Sequence, residues 1–157
     1  MPICPTSRPH TSIVMPANTV QLVGAAFALV VLTGCVGVLL LFKRVREARA
    51  KRIHPQAMST STKMAVRLED VQAADNFRNL FEVPVLFYAL VAVALAIQQT
   101  PGWLVIGAWA FVALRVVHSA IHCTYNKVYH RLTAFAGSFA LLMALWVGLF
   151  LSLPGAA

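Results

Sequence analysis

The chain has 157 residues, of which 59% are hydrophobic and only 11% charged, with a mean hydropathy of +0.74. A water-soluble domain of this size carries roughly a quarter charged residues, so composition argues against a soluble globular protein, and the length fits one compact unit. The net charge of +8 does not describe a duplex-binding face. Eight of the thirteen Lys and Arg (Lys43, Arg44, Arg46, Arg49, Lys51, Arg52, Lys63 and Arg67) fall in one stretch whose single acid is Glu47. An apolar chain with one basic loop reads as a membrane protein that binds no nucleic acid. Cysteines at positions 4, 35 and 123 form no CxxC pair and no disulfide framework.

Residues 1–16 carry four prolines, Pro2, Pro5, Pro9 and Pro16, without an apolar period, and read as a disordered lead to a membrane domain over 17–157. Residues 20–42 contain no charge, enough at ~1.5 Å per residue to cross a ~30 Å hydrocarbon core, and place a first helix at about 17–42. Within it Leu32-Thr33-Gly34-Cys35 resembles a lipoprotein box, but 36–42 stay apolar where a lipoprotein turns polar. The basic run 43–67 follows, helical at its ends, with its charges set at lipid headgroups. Helices at about 66–98 and 103–125 are joined by Gln99-Thr100-Pro101-Gly102, a turn short enough to require an antiparallel hairpin. A fourth helix at about 131–153 carries Ala136, Ala140, Ala144 and Gly148 along one stripe, suited to close packing within a bundle or between subunits. The fold expected is therefore all-α, an integral membrane four-helix bundle of left-handed, up-down topology. The positive-inside rule puts the 1–2 and 3–4 loops in the cytoplasm, the second through Lys127 and Arg131.

Ionisable groups at the bilayer centre cost at least ~2.5–3.5 kcal/mol and normally face a partner or a cavity. Counted from Trp103, Arg115 lies about 18 Å down its helix, His118 about 22 Å and His122 about 28 Å. Counted back from Gln98, Glu82 lies about 24 Å down and Asn79 about 28 Å, so the two sets share a level in the cytoplasmic half. Arg115, His118 and His122 share one helix face, and Asp75, Asn79 and Glu82 share another, which predicts an inward-facing Glu82–Arg115 pair. Pro84 removes the amide that would bond the Leu80 carbonyl and bends the helix beside the carboxylate.

These residues admit several chemistries. Glu82 and Arg115 can be a structural pair holding two helices in register. His118 and His122 have metal-ligand spacing that Glu82 would complete, but one such cluster is a weak signal and no metal is assigned. Cys123 follows His122 directly and points to another helix face, which argues against a Cys–His nucleophile. A proton or ion path along His118, His122 and Glu82 is a further, weaker alternative. A cationic pocket at the inner interface would suit an anionic, water-soluble ligand meeting an apolar partner, and Arg131 at that boundary could lower a thiol's pKa from ~8.5 by favouring the thiolate.

Asn79-Leu80-Phe81-Glu82 followed by Pro84 resembles the N-x-x-E-then-Pro signature of the MAPEG family, the membrane-associated proteins in eicosanoid and glutathione metabolism. Arg115-Val116-Val117-His118, with Arg131 sixteen residues after Arg115, is similar to the prostaglandin E synthase branch, and the run 76–88 to a bacterial subgroup. The resemblance, over roughly 68–153, implies a homotrimer in a bacterial inner membrane with glutathione as co-substrate, bound between subunits on the cytoplasmic side. By position it implies that Asn79 and Glu82 contact the glutathione backbone, that Arg115 and His118 line the same site, and that Arg131 activates the thiol. The family's glutathione-binding arginine is here Asp75, with Arg78 as the nearest cation, and the expected tyrosine is His122, with Tyr125 and Tyr129 nearby. Arg78 and His122 complete the candidate binding set. The function expected is a glutathione-dependent transferase or peroxidase acting on lipophilic electrophiles. The alternative is a non-catalytic membrane binding or scaffold protein of the same fold, motivated by Asp75 and His122.

Overall fold

The computed structural model describes residues 15–54, 56, 60 and 72–154. Apart from Met15 and Pro16, the expected disordered lead lies outside these residues, as do Lys63, Arg67 and the expected start of the second helix at 66–71. The elements are α1 (Ala17–Ala50), α2 (Gln72–Asn79), α3 (Val83–Ala96), α4 (Gly102–Cys123) and α5 (Val128–Leu151). The described residues contain no strand. Taking α2 and α3 as one broken span, four helices are long and apolar enough to cross a membrane. The chain is an all-helical, integral membrane four-helix bundle.

Helix α1 does not stop where its apolar run ends at 42 but continues to Ala50, closed there by a Lys51–Glu47 ion pair of 2.7 Å. Lys, Arg, Glu and Ala are all strong helix formers, so loss of hydrophobicity ends the span without ending the helix. The second span breaks at residues 80–82, and α3 begins with Pro84 in its first turn, where a missing amide costs no hydrogen bond.

One end of the bundle is tied by polar side chains. Asn18 Nδ2 donates to the Thr100 carbonyl at 3.0 Å, the Thr19 and Thr100 hydroxyls lie 3.3 Å apart, and Ser152 Oγ donates to Gln99 Oε1 at 3.1 Å. The start of α1, the α3–α4 turn and the end of α5 therefore meet, which makes successive spans antiparallel. Gln98 reverses the chain there at φ 56°, and the next amide bonds back to the Ala94 carbonyl at 2.9 Å.

The core is shared by all four spans, with Leu22 and Leu29 of α1, Phe87 and Leu90 of α3, Phe111 of α4 and Leu142 of α5 wholly buried. Phe87 stacks on Phe111 with ring centroids 4.7 Å apart. Helices α4 and α5 approach closely because Gly107 has no side chain, and Leu145 occupies the space a Cβ would need. Large apolar side chains such as Phe27, Leu41, Ile106 and Phe150 point outward, as they must where the solvent is lipid.

Candidate functional site

Arg115, His118 and His122 follow one another along the inner face of α4, and all three are buried to 98% or more. Their immediate neighbours are aromatic. The Arg115 guanidinium carbon lies 5.5 Å from the Phe111 ring centroid and 5.1 Å from that of Phe135, while His118 stands edge-on to His122 at 5.7 Å. Cation–π contact contributes about 0.5–2 kcal/mol per ring, but rings accept no conventional hydrogen bond, and Nε, Nη1 and Nη2 of Arg115 have no hydrogen-bond partner among the described residues.

Arg131, on the first turn of α5, closes the cluster from the basic end. Its Nη1 donates to Asn126 Oδ1 at 3.2 Å and to His122 Nε2 at 3.3 Å. A guanidinium can only donate, so His122 Nε2 is the acceptor and its ring proton sits on Nδ1, buried and unpartnered. The backbone of Arg131 fixes the second imidazole, since His118 Nδ1 donates to the Arg131 carbonyl at 3.2 Å and leaves Nε2 as a bare acceptor. The result is one contiguous set of unmet hydrogen-bonding groups. It holds the guanidinium N–H donors and one imidazole N–H against a single imidazole acceptor.

The level predicted for the two helices holds, but the face of the second span does not. Asp75 and Glu82 are exposed and Asn79 is half-buried, so the polar line of three lies on the outer side of α2 and the break. No hydrogen bond links Glu82 to Arg115, and the expected inward pair is absent. Glu82 stands instead at the N-cap of α3, where the positive end of the helix dipole offsets a carboxylate without a side-chain capping bond. Arg78 is exposed on the same outer side. Tyr125 and Tyr129 are exposed too, and the Tyr125 hydroxyl lies 3.2 Å from His130 Nδ1, away from the cluster.

The polar residue that α2 turns inward is Asn76, which is fully buried. Its Oδ1 accepts from Ser119 Oγ at 3.3 Å and its Nδ2 donates to Cys123 Sγ at 3.3 Å. These contacts lock α2 to α4 at the depth of the histidines, and they give Cys123 a packing role. The spacing of Asn76, Leu80, Val83, Phe87, Leu90 and Ala94, alternating four and three, is the signal that identifies this face.

Two groups of site residues therefore stand apart. Arg115, His118, His122 and Arg131 are brought together, with Asn126 as an unanticipated fifth member. Asn79, Glu82 and Arg78 lie outside them. Among the described residues no three His, Cys, Asp or Glu side chains converge as metal ligands, and Glu82 does not join the two histidines.

The family model for MAPEG matches residues 22–151, which takes in all four spans and every residue of both groups. The chain belongs to the MAPEG family. Comparison with curated proteins and with solved structures gives no match. The break at 80–82 and the Arg115/His118/Arg131 cluster of this MAPEG chain both fall inside the matched region.

Proposed function

We propose that this protein is a glutathione-dependent membrane transferase or peroxidase acting on lipophilic electrophiles. The observation that carries the reading is the half-exposed Arg131 guanidinium, held by Asn126 and His122 at the boundary between a buried cationic face and the basic end of the bundle. A cation so placed favours a thiolate over a thiol. The donor set suits an anionic ligand, because N–H donors outnumber acceptors among the unpartnered buried groups.

Glutathione supplies a sulfur nucleophile that displaces a leaving group from carbon, or attacks one oxygen of a hydroperoxide so that the O–O pair departs with the alkoxide. In this reading Arg131 holds the sulfur anionic and His122 keeps Arg131 in place. Asn79 and Glu82 face outward, so a ligand touching them arrives from outside the subunit. The reading therefore requires a second copy to complete the site, as the three-subunit assembly expected of this chain would.

Purified protein is assayed with glutathione and either an aryl halide or a lipid hydroperoxide. Arg131→Ala lowers turnover at least tenfold, equivalent to about 1.4 kcal/mol of transition-state stabilisation, and unchanged turnover removes the mechanism.

One observation favours a second reading, a non-catalytic binding protein. Arg115 is sealed between Phe111 and Phe135, and Asp75 would repel a glutathione carboxylate. A ligand of the native state at ten times its Kd raises stability by about 1.4 kcal/mol. A clear thermal shift with millimolar glutathione together with turnover excludes that reading, and no shift supports it.

A further inference from the structure

The bond that holds Arg131 in place depends on the charge of its partner. His122 Nε2 accepts from Arg131 Nη1, at 3.3 Å, only while the imidazole is neutral with its proton on Nδ1. A second proton goes to Nε2, the ring nitrogen that lacks one, and turns both nitrogens into donors. The acceptor is then lost, and two like charges face each other at hydrogen-bond distance, which disfavours both. Histidine is the side chain whose charge ordinarily changes between pH 5 and 8.

The surroundings confine the consequence to one side chain. The Arg131 carbonyl accepts from His118 Nδ1 at 3.2 Å and the Arg131 amide donates to the Lys127 carbonyl at 3.0 Å, so the first turn of α5 stays anchored when His122 is charged. Asn126 Oδ1, 3.2 Å from Nη1, remains as the second acceptor for the guanidinium. Arg131 is half-exposed, so solvent supplies the proton and takes up the freed N–H. The charges that act on the His122 ring are Arg131 of α5 and Asp75 of α2, a cation and an anion. On its own helix, Cys123 accepts from Asn76, Arg115 lies between Phe111 and Phe135, and His118 stands edge-on at 5.7 Å. A proton on His118 Nε2 breaks no hydrogen bond. Of the two imidazoles, only His122 loses a bond to Arg131 when it becomes charged.

We propose that His122 is a proton-operated latch on Arg131, holding the guanidinium at the mouth of the cluster when neutral and releasing it when protonated. Control of turnover by the latch rests on the glutathione reading above, whereas the latch itself does not. A thiol loses its thiolate on acidification in any case. Release of Arg131 adds a further loss of about five- to tenfold, between the loss of one of its two acceptors and the tenfold assigned to the whole side chain.

The full chain in micelles, labelled with 15N at histidine and arginine, is titrated by NMR from about pH 8 to about pH 4, across the range in which imidazoles change charge. At the alkaline end the His122 ring carries its proton on Nδ1 alone. On acidification both nitrogens become protonated, and the Arg131 Nη1 resonance moves along the same curve. His122→Gln offers an amide oxygen that accepts but does not titrate, and it removes that curve from Arg131. Glutathione turnover is followed over the same range, each profile normalised to its own alkaline plateau, and wild type falls about five- to tenfold further than His122→Gln. A His122 ring that stays neutral throughout overturns the proposal, as does an Arg131 signal that ignores the ring's titration; these two results come from wild type and hold even if His122→Gln does not fold. Parallel turnover profiles overturn the control of turnover. Coinciding NMR curves in a protein that never turns over glutathione reject the activity and support the latch.

Discussion

Asn126 does two jobs that substitution can separate. It sits beyond the end of α4 at φ 45°, with its amide bonded to the Ile121 carbonyl at 2.9 Å, and its side-chain oxygen accepts from Arg131 Nη1 at 3.2 Å. A residue with a Cβ pays roughly 1–2 kcal/mol in the left-handed region, asparagine less and glycine nothing. A hydrogen bond to a charged group contributes about 1.5–3 kcal/mol when buried. Arg131 is half-exposed, so water replaces part of that bond and about 1 kcal/mol is the appropriate figure. Asn126→Gly therefore loses the bond but not the turn, Asn126→Ala loses both, and Asn126→Asp keeps both. Denaturation in mixed micelles, followed by circular dichroism, should rank aspartate with wild type, then glycine, then alanine, the last two separated by about 1 kcal/mol. Turnover with glutathione should fall about fivefold in both glycine and alanine variants and stay near wild type with aspartate. Alanine as stable as glycine would refute the role of the left-handed turn, and full turnover in the glycine variant would refute the role of the side chain.

Three further outcomes are expected. Gly107→Ala brings a Cβ against Leu145 and should destabilise by about 1–2 kcal/mol; in a Leu145→Ala background it should become neutral or stabilising, and additive effects in the double-mutant cycle would rule out the contact. Arg115→Met breaks no hydrogen bond within the described chain, and relief of a charge worth ~2.5–3.5 kcal/mol at depth offsets the lost cation–π contacts. Its ligand-free unfolding midpoint should stay at or above wild type, and a loss beyond about 3 kcal/mol would reveal a partner supplied by another subunit. Asn76→Ala leaves the Ser119 hydroxyl without its acceptor and should cost about 2 kcal/mol, with part of the loss recovered in Asn76→Ala/Ser119→Ala; no recovery would place the cost in packing alone.

Much of this arrangement was legible in the residues. Charge-free runs at 20–42 and 132–153 marked the outer two helices, the turn at 99–102 between two apolar segments marked the middle two, Pro84 marked the break at 80–82, and the spacing of Arg115, His118 and His122 marked the buried face of α4. The face of the second span was not legible from its polarity, because Asp75, Asn79 and Glu82 make the more conspicuous line. Core packing overrode it. Leu80, Val83, Phe87, Leu90 and Ala94 continue one seam across the break, and that seam carries Asn76 inward and the carboxylates outward. The inward pairing of Glu82 with Arg115 failed for the same reason, and the dipole at the start of α3 offers the carboxylate an alternative that side-chain counting does not reveal. Asn126 was hidden because its contribution depends on a backbone angle rather than on a motif.

The 34 residues of α1 form an unbroken rod of about 51 Å, well beyond the ~30 Å of a hydrocarbon core. Such a rod accommodates a thinner or thicker bilayer by leaning. At ~1.5 Å of rise per residue, a lean of about 10° pivoting at Val36 shifts the Lys51 end by roughly 4 Å. Gly34 and Gly37 lie within about 3 Å of that pivot and barely move, so a change in bilayer thickness repositions the basic end of the rod rather than its centre.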